Sequence, residues 1–142
     1  MSNAEGLMDC ADCLCLASRR AARALSRSFE RQLKPHGVRI GQFSALTALM
    51  LRGPMTVGAL ADFLGVERTT LTRNLALIEA KRWVSVHAGE DARSRVVEVT
   101  AAGRARVDAA LPAWRAAQEA ATRAIGAAGA ASLHRLAERS II

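Results

Sequence analysis

The stretch that most constrains this chain is residues 55–78, MTVGALADFLGVERTTLTRNLALI, whose hydrophobic spacing divides it into two short helices joined by a tight turn. Val57, Leu60, Ala61 and Leu64 recur at helical spacing and form one apolar stripe, leaving Gly58 and Asp62 outside. Gly65 ends the first helix, because a residue without Cβ enters the left-handed region at no steric cost. Val66 is expected to return to the core before a second helix begins near Glu67. There Leu71, Leu75 and Ile78 fall at i, i+4 and i+7 and pack inward, which turns Arg68, Thr69, Thr70, Thr72, Arg73 and Asn74 outward. Arginine and threonine at the start of a helix are side chains that hydrogen-bond phosphates and guanine edges in a DNA major groove. The same spacing fits an amphipathic helical pair with a solvated polar face, so the flanking sequence decides between the two.

After Lys81 and Arg82 come WVSVH, AGEDARS and RVVEV, in the order strand, polar turn, strand. Trp83, Val84 and Val86 lie on one strand, Val96, Val97 and Val99 on the other, and residues 90–94 form the tip. Helix, turn, helix and hairpin make a winged helix-turn-helix, a mainly α fold with a small β wing. Such a fold also serves protein interaction, and the basic residues favour DNA.

The chain has 142 residues, 51% of them hydrophobic, which suits one domain with a buried core. Its 20 Lys and Arg against 13 Asp and Glu give a net charge of +7, and every one of those cations lies at or after Arg19. That balance favours a polyanion partner. Only Lys34 and Lys81 are lysines; arginine is the better phosphate fork, although a GC-rich genome enriches it for no functional reason. No segment approaches the roughly 20 apolar residues of a bilayer span, and the start lacks the basic-then-apolar pattern of an export signal, so no membrane partner and a cytoplasmic location are expected. Ser2, Asn3 and Ala4 resemble a cloning remnant.

Cys10, Cys13 and Cys15 crowd into six residues, an odd number that argues against a disulfide framework. His36, His87 and His134 are scattered, so no fourth zinc ligand offers itself and no metal or cofactor is expected. Paired carboxylates, a nucleophile with an adjacent base and a phosphate loop are likewise missing, which argues against an enzyme.

Residues 9–34 read as one long helix, with Leu14, Ala17, Ala21, Leu25, Phe29 and Leu33 on its stripe and Pro35 and Gly37 ending it. Its other faces carry Arg19, Arg20, Arg23, Arg27, Arg31 and Lys34, a run whose ordinary fate is solvation. Residues 40–51 give a nearly buried helix, with Phe43, Leu46, Leu49 and Met50 inward; Arg52, Gly53 and Pro54 break it, and Met55 forms a short strand beside the wing. Thr100 caps a last long helix with Val107, Leu111, Trp114, Gln118, Ala121 and Ile125 on one face. Pro112 is expected to bend it and Gly126 and Gly129 to end it, before a final helix over residues 130–139 with Leu133, Leu136 and Ala137 inward. So long an apolar face has no partner inside a small winged domain, which points to a second copy.

The runs QFSALTAL, GPMTVGALADFLGVERTTLTRNLALIEAKRWV and EDARSRVVEVTAAGRA resemble the MarR family of bacterial transcription regulators. The resemblance spans about residues 38–106 and is sharpest at Asp91, Arg93 and the Val99, Thr100, Gly103 run after the wing. Arg39 stands where a capping Thr or Ser is common, and Ala59 replaces the usual Glu of a capping box with Thr56. The resemblance implies one MarR-like domain over 1–142, with a winged helix-turn-helix at 37–100 and dimerisation helices at 7–36 and 101–142. It implies a homodimer, acting as a repressor, whose recognition helices enter successive major grooves roughly 34 Å apart and read pseudo-palindromic double-stranded DNA. Arg68, Thr69, Thr70 and Arg73 are the candidate base and phosphate contacts, followed by Thr72 and Asn74. Arg93 at the wing tip is placed in the minor groove, with Asp91 orienting it by a charge-assisted hydrogen bond, a role compatible with its alternative reading as a turn residue, and Arg95 on a phosphate. The family's usual effector, a small anionic aromatic compound, is assigned to Arg23, His36, Trp114 and Arg115, although Trp114 also reads as core. Cys15 matches the position of the reactive cysteine of organic-hydroperoxide-sensing members, with Cys10 or Cys13 as resolving thiols and Arg19 at i+4 as the polarising cation. The tyrosines those sensors use are absent from this chain, and the alternative is that the thiols pack as small apolar residues.

Overall fold

Burial of the stripes read above assembles a helical body with a small sheet at one end, and the computed structural model describes residues 3–139 of it. The outermost residues of the expected domain, 1–2 and 140–142, lie outside the described residues. In chain order the elements are helix α1 (Asn3–Asp9), a 3-10 turn (Cys10–Asp12), α2 (Leu14–Leu33), a second 3-10 turn (Lys34–His36) and α3 (Ile40–Arg52). Strand β1 (Met55–Thr56), α4 (Val57–Leu64), α5 (Arg68–Ala80), β2 (Val84–Ala88), β3 (Arg95–Val99) and α6 (Ala101–Glu138) follow.

The sheet has strand order β1-β3-β2, antiparallel throughout. Val84 faces Val99 and Val86 faces Val97, so alternate residues of the hairpin turn one valine row onto the helices. Met55 pairs with Val97, as the short-strand reading expects. Leu33, Val38, Leu46, Leu49, Leu60, Leu71, Ile78 and Val97 are fully buried and join α2 through α5 and the wing in one core. Gly65 takes the left-handed conformation (φ 67°, ψ 35°), and its N–H closes the end of α4 on the Ala61 and Asp62 carbonyls. Thr56 caps α4 by accepting the Ala59 N–H at 3.1 Å, so the missing glutamate removes only half of a capping box.

Several expectations are corrected. The first helix does not run unbroken from residue 9: Cys13 is extended (φ −61°, ψ 114°) and caps α2, its Sγ accepting the Leu16 N–H at 3.5 Å, while residues 3–9 form the separate α1. Val66 stays 40% exposed, because the turn delivers it to the surface between α4 and α5, and Leu51, on the outer side of α3, is 85% exposed. Pro112 sits inside α6 without non-helical backbone, whereas Gly126 (φ 76°, ψ 164°) ends the first part of α6 as expected, so that two helices meet there at a kink; Gly129 lies within the second. Val107 and Ala121 of the expected stripe on α6 are buried and Leu111, Trp114 and Gln118 half-buried, while Gly103, Ala110 and Ala117 beside them complete the buried line and Ile125 is 39% exposed. Leu133 and Leu136 are not inward: they are 40% and 53% exposed, because the other described residues leave the end of α6 largely uncovered.

Candidate nucleic-acid interface

Because Leu71, Leu75 and Ile78 anchor α5 in the core, its polar face is presented outward, and the helix divides that face between two concavities. Arg68 and Thr72 turn toward the wing and line a cleft with Thr56, Gly58, Arg93 and Arg95. Arg68 lies directly over Gly58, in space a Cβ there would occupy. Thr70, Arg73 and Asn74 turn the other way and line a groove closed by Ile40, Gly41 and Ser44 of α3 and by Leu64 and Val66. Thr69 is exposed between the two. The six residues read from the sequence thus stay on one helix face but form two sets, and Asn74 is half-buried.

The wing tip is built by Asp91. Its Oδ1 accepts the backbone N–H of Arg93 at 3.2 Å, and its carbonyl accepts both the N–H and the hydroxyl of Ser94 at 2.9 Å. This corrects the expected pairing of Asp91 with the Arg93 guanidinium. At a spacing of two residues the carboxylate reaches the main chain first, so Asp91 shapes the turn. Arg93 is exposed, and Arg95 of β3, paired with Ala88 of β2, lines the same cleft. The cleft therefore gathers three arginines against one acid, Glu79.

The four effector-pocket candidates are not gathered in the protomer. Trp114 stacks on Phe43 (centroids 6.1 Å apart, 16° between planes), touches Phe29 (6.4 Å) and lines an open groove with Thr47, Met50 and Leu111. Arg23 and Arg115 are exposed, and His36 contributes a carbonyl to a contact with Arg106; none of the three lines that groove. Cys10, Cys13 and Cys15 are free and exposed, so within the protomer they do not pack as small apolar residues. Among the described residues no group of three or more His, Cys, Asp or Glu could hold a metal ion, and no helix is long and apolar enough to cross a membrane.

The sequence reading missed a joint behind α5. Arg106 of α6 donates to the His36 carbonyl at 2.9 Å and lies 5.3 Å from the Trp83 ring centre, while Lys81 sits 4.5 Å over the same ring. In the sequence these cations look like ordinary surface charge; the one available signal is the spacing of Thr100, Gly103 and Arg106, which share a helix face.

Comparison with known proteins fits this geometry. A MarR family model matches residues 36–94, the winged segment. An uncharacterised HTH-type transcriptional regulator of Bacillus subtilis (strain 168), YwoH, is 36% identical over 80 residues; the match covers 56% of this chain and spans 58% of the length of that relative. The Mycobacterium tuberculosis transcriptional regulator MosR, solved in complex with DNA, is 40% identical over 89% of this chain and 95% of its own, with a TM-score of 0.79. AbfR, solved in an overoxidised state bound to DNA, is 25% identical over 78% of this chain and 86% of its own, with a TM-score of 0.68. The chain belongs to the MarR family, and its winged helix-turn-helix is that of a transcription regulator rather than of an enzyme.

Proposed function

We propose that the protein is a cytoplasmic, homodimeric repressor that binds a pseudo-palindromic operator through α5 and the wing and is released by a small ligand. The observation that carries the reading is the outward face of α5, held by three buried apolar residues and flanked by Arg93 and Arg95 of the wing. Thr70, Arg73 and Asn74 read base edges, with Thr69 at their border. Arg68, Thr72 and Arg95 hold the phosphates between major and minor groove, and Arg93 enters the minor groove. The 7–36 and 101–142 segments pair with a second copy, because Leu14 and Leu16 at the start of α2 and Leu133 and Leu136 at the end of α6 are exposed apolar residues. A complex of a 40%-identical relative with DNA supports the partner. Fluorescence anisotropy on the gene's own upstream duplex tests the reading: binding that weakens steeply between two salt concentrations and exceeds binding to random duplex is expected. Equal affinity for both duplexes would remove sequence-specific regulation.

A second reading adds a thiol trigger. Three cysteines are exposed together at the entry of α2, Cys15 lies in its first turn, and a relative has been solved in an overoxidised state. Oxidation of the Cys15 thiolate by a peroxide gives a sulfenic acid and water or an alcohol. Attack by Cys10 or Cys13 then expels water and leaves a disulfide. DNA release on mild peroxide that vanishes in Cys15→Ser is the expected result; unchanged binding in both proteins leaves the small anionic aromatic ligand as the trigger.

A further inference from the structure

The segment Lys81–Arg82–Trp83 leaves the recognition helix and enters the wing, and Thr100, the residue between β3 and α6, closes on it from across the hairpin. Thr100 donates its N–H to the Trp83 carbonyl at 3.0 Å and its hydroxyl to the Arg82 carbonyl at 2.6 Å. Arg82 has a positive φ of 60°, a conformation an arginine adopts at a cost, so a contact from another element is needed to keep it there. One turn along α6, Gly103 lies so close to the Trp83 carbonyl that a Cβ would collide with it. One turn further, Arg106 completes the face.

The same Trp83 ring lies against two cations, Lys81 and Arg106, and both reach past it to one target. Arg106 donates to the His36 carbonyl and the Lys81 ammonium donates to the Gly37 carbonyl at 3.5 Å. His36 and Gly37 form the turn between α2 and α3. One joint therefore ties the end of the recognition helix, the start of α6 and the end of α2. Arg106 also keeps its Nε–H buried without an acceptor, which an aliphatic side chain of similar length would avoid. Stability alone does not account for an arginine here; a cation that lies over the ring and donates in one direction fixes an angle.

We infer that Arg106 is a positioning residue that sets the angle of α5 against α2 and α6, and so the half-site spacing the dimer accepts. The inference rests on the dimeric DNA-binding reading above. In a two-fold dimer the helices that pair are α2 and α6, and the helix that reads is α5, so a change at their joint moves the two α5 helices relative to each other. It leaves the chemistry of each α5 face as it was.

The test uses full-length protein and the tightest duplex that the wild type selects from random DNA, with derivatives carrying one base pair more or fewer at the centre. Each change rotates one half-site by about 35° relative to the other. Wild type should discriminate against both derivatives by about tenfold or more, and Arg106→Met should reduce that ratio to within about threefold while its affinity for random duplex is unchanged. Arg106→Lys, which keeps the charge but loses the planar guanidinium, should fall between them. Should Arg106→Met fail to fold, Arg106→Lys and Lys81→Met carry the same readout. An unchanged spacing ratio in every folded variant overturns the inference, as does a loss that is equal on all duplexes. If wild type itself selects no duplex, the functional reading fails first, and the two failures are told apart by that arm.

Discussion

The winged body and the terminal helices solve the problem of an apolar surface in opposite ways. Residues 38–107 bury most of their leucines and valines on one another, leaving Leu51, Val66 and Leu77 at the surface, so the core of the body is closed within a single protomer. In α1, the front of α2 and the end of α6 the large apolar residues remain in water: Leu7, Met8, Leu14, Leu16, Ile125, Leu133 and Leu136. A stripe of that size is unfavourable for an isolated chain and useful for an assembly. On the dimeric reading proposed above, stability of the body is a property of one chain, whereas order in the termini should depend on chain concentration.

The strongest way to break this contrast is to remove the end of α6. A chain ending at Ile125 should sediment as monomers or aggregates and lose two orders of magnitude or more of operator affinity, because linked half-sites become separate binding events (roughly the 10²-fold avidity of bivalent contact). A soluble monomer with full affinity would refute the division. Next in size, Leu46→Ala in the closed core should cost about 2–5 kcal/mol of unfolding free energy at any protein concentration. Leu133→Ala should give a loss that shrinks as concentration rises; paired urea titrations at low and high concentration check both. Arg73→Ala should weaken specific binding by about 1–3 kcal/mol and relax one base position, read by competition among single-base operator variants. An equal loss on random DNA would instead make Arg73 a phosphate contact. Smallest is the wing: Arg93→Ala should matter most when the flanks are A·T-rich, and Asp91→Ala should show a weaker version of the same defect, because Asp91 holds the tip through the Arg93 backbone. Comparing A·T-rich with G·C-rich flanks in both variants checks it.

The same contrast explains what the sequence made legible. Within the body spacing and burial mostly share one cause, so Leu71, Leu75 and Ile78, Gly65 as the turn and the valine rows of β2 and β3 stand in the structure as their periods imply, whereas Val66, delivered by a turn, lies at the surface. At the termini spacing still reveals a helix but not what covers it, which is why Leu133 and Leu136 read as inward and lie exposed in the protomer. Cys13 broke the first helix through a backbone angle and a sulfur cap that no hydrophobic period encodes. At the site, the face of α5 was readable from i+4 arithmetic. Its division into two concavities was not, since that depends on where α3 and the wing come to lie. Arg106 and Lys81 escaped for a related reason: a cation over an aromatic ring is a tertiary fact, written in the sequence as one more charge on a basic chain.

The central claim, that two copies present two α5 helices to one duplex, is tested most directly by footprinting the selected operator with measured stoichiometry. The account predicts two protein chains per duplex and two protected major-groove patches one helical turn, roughly 34 Å, apart, with minor-groove protection at the flanks. One chain per duplex with a single protected patch, or protection that does not depend on sequence, would contradict it.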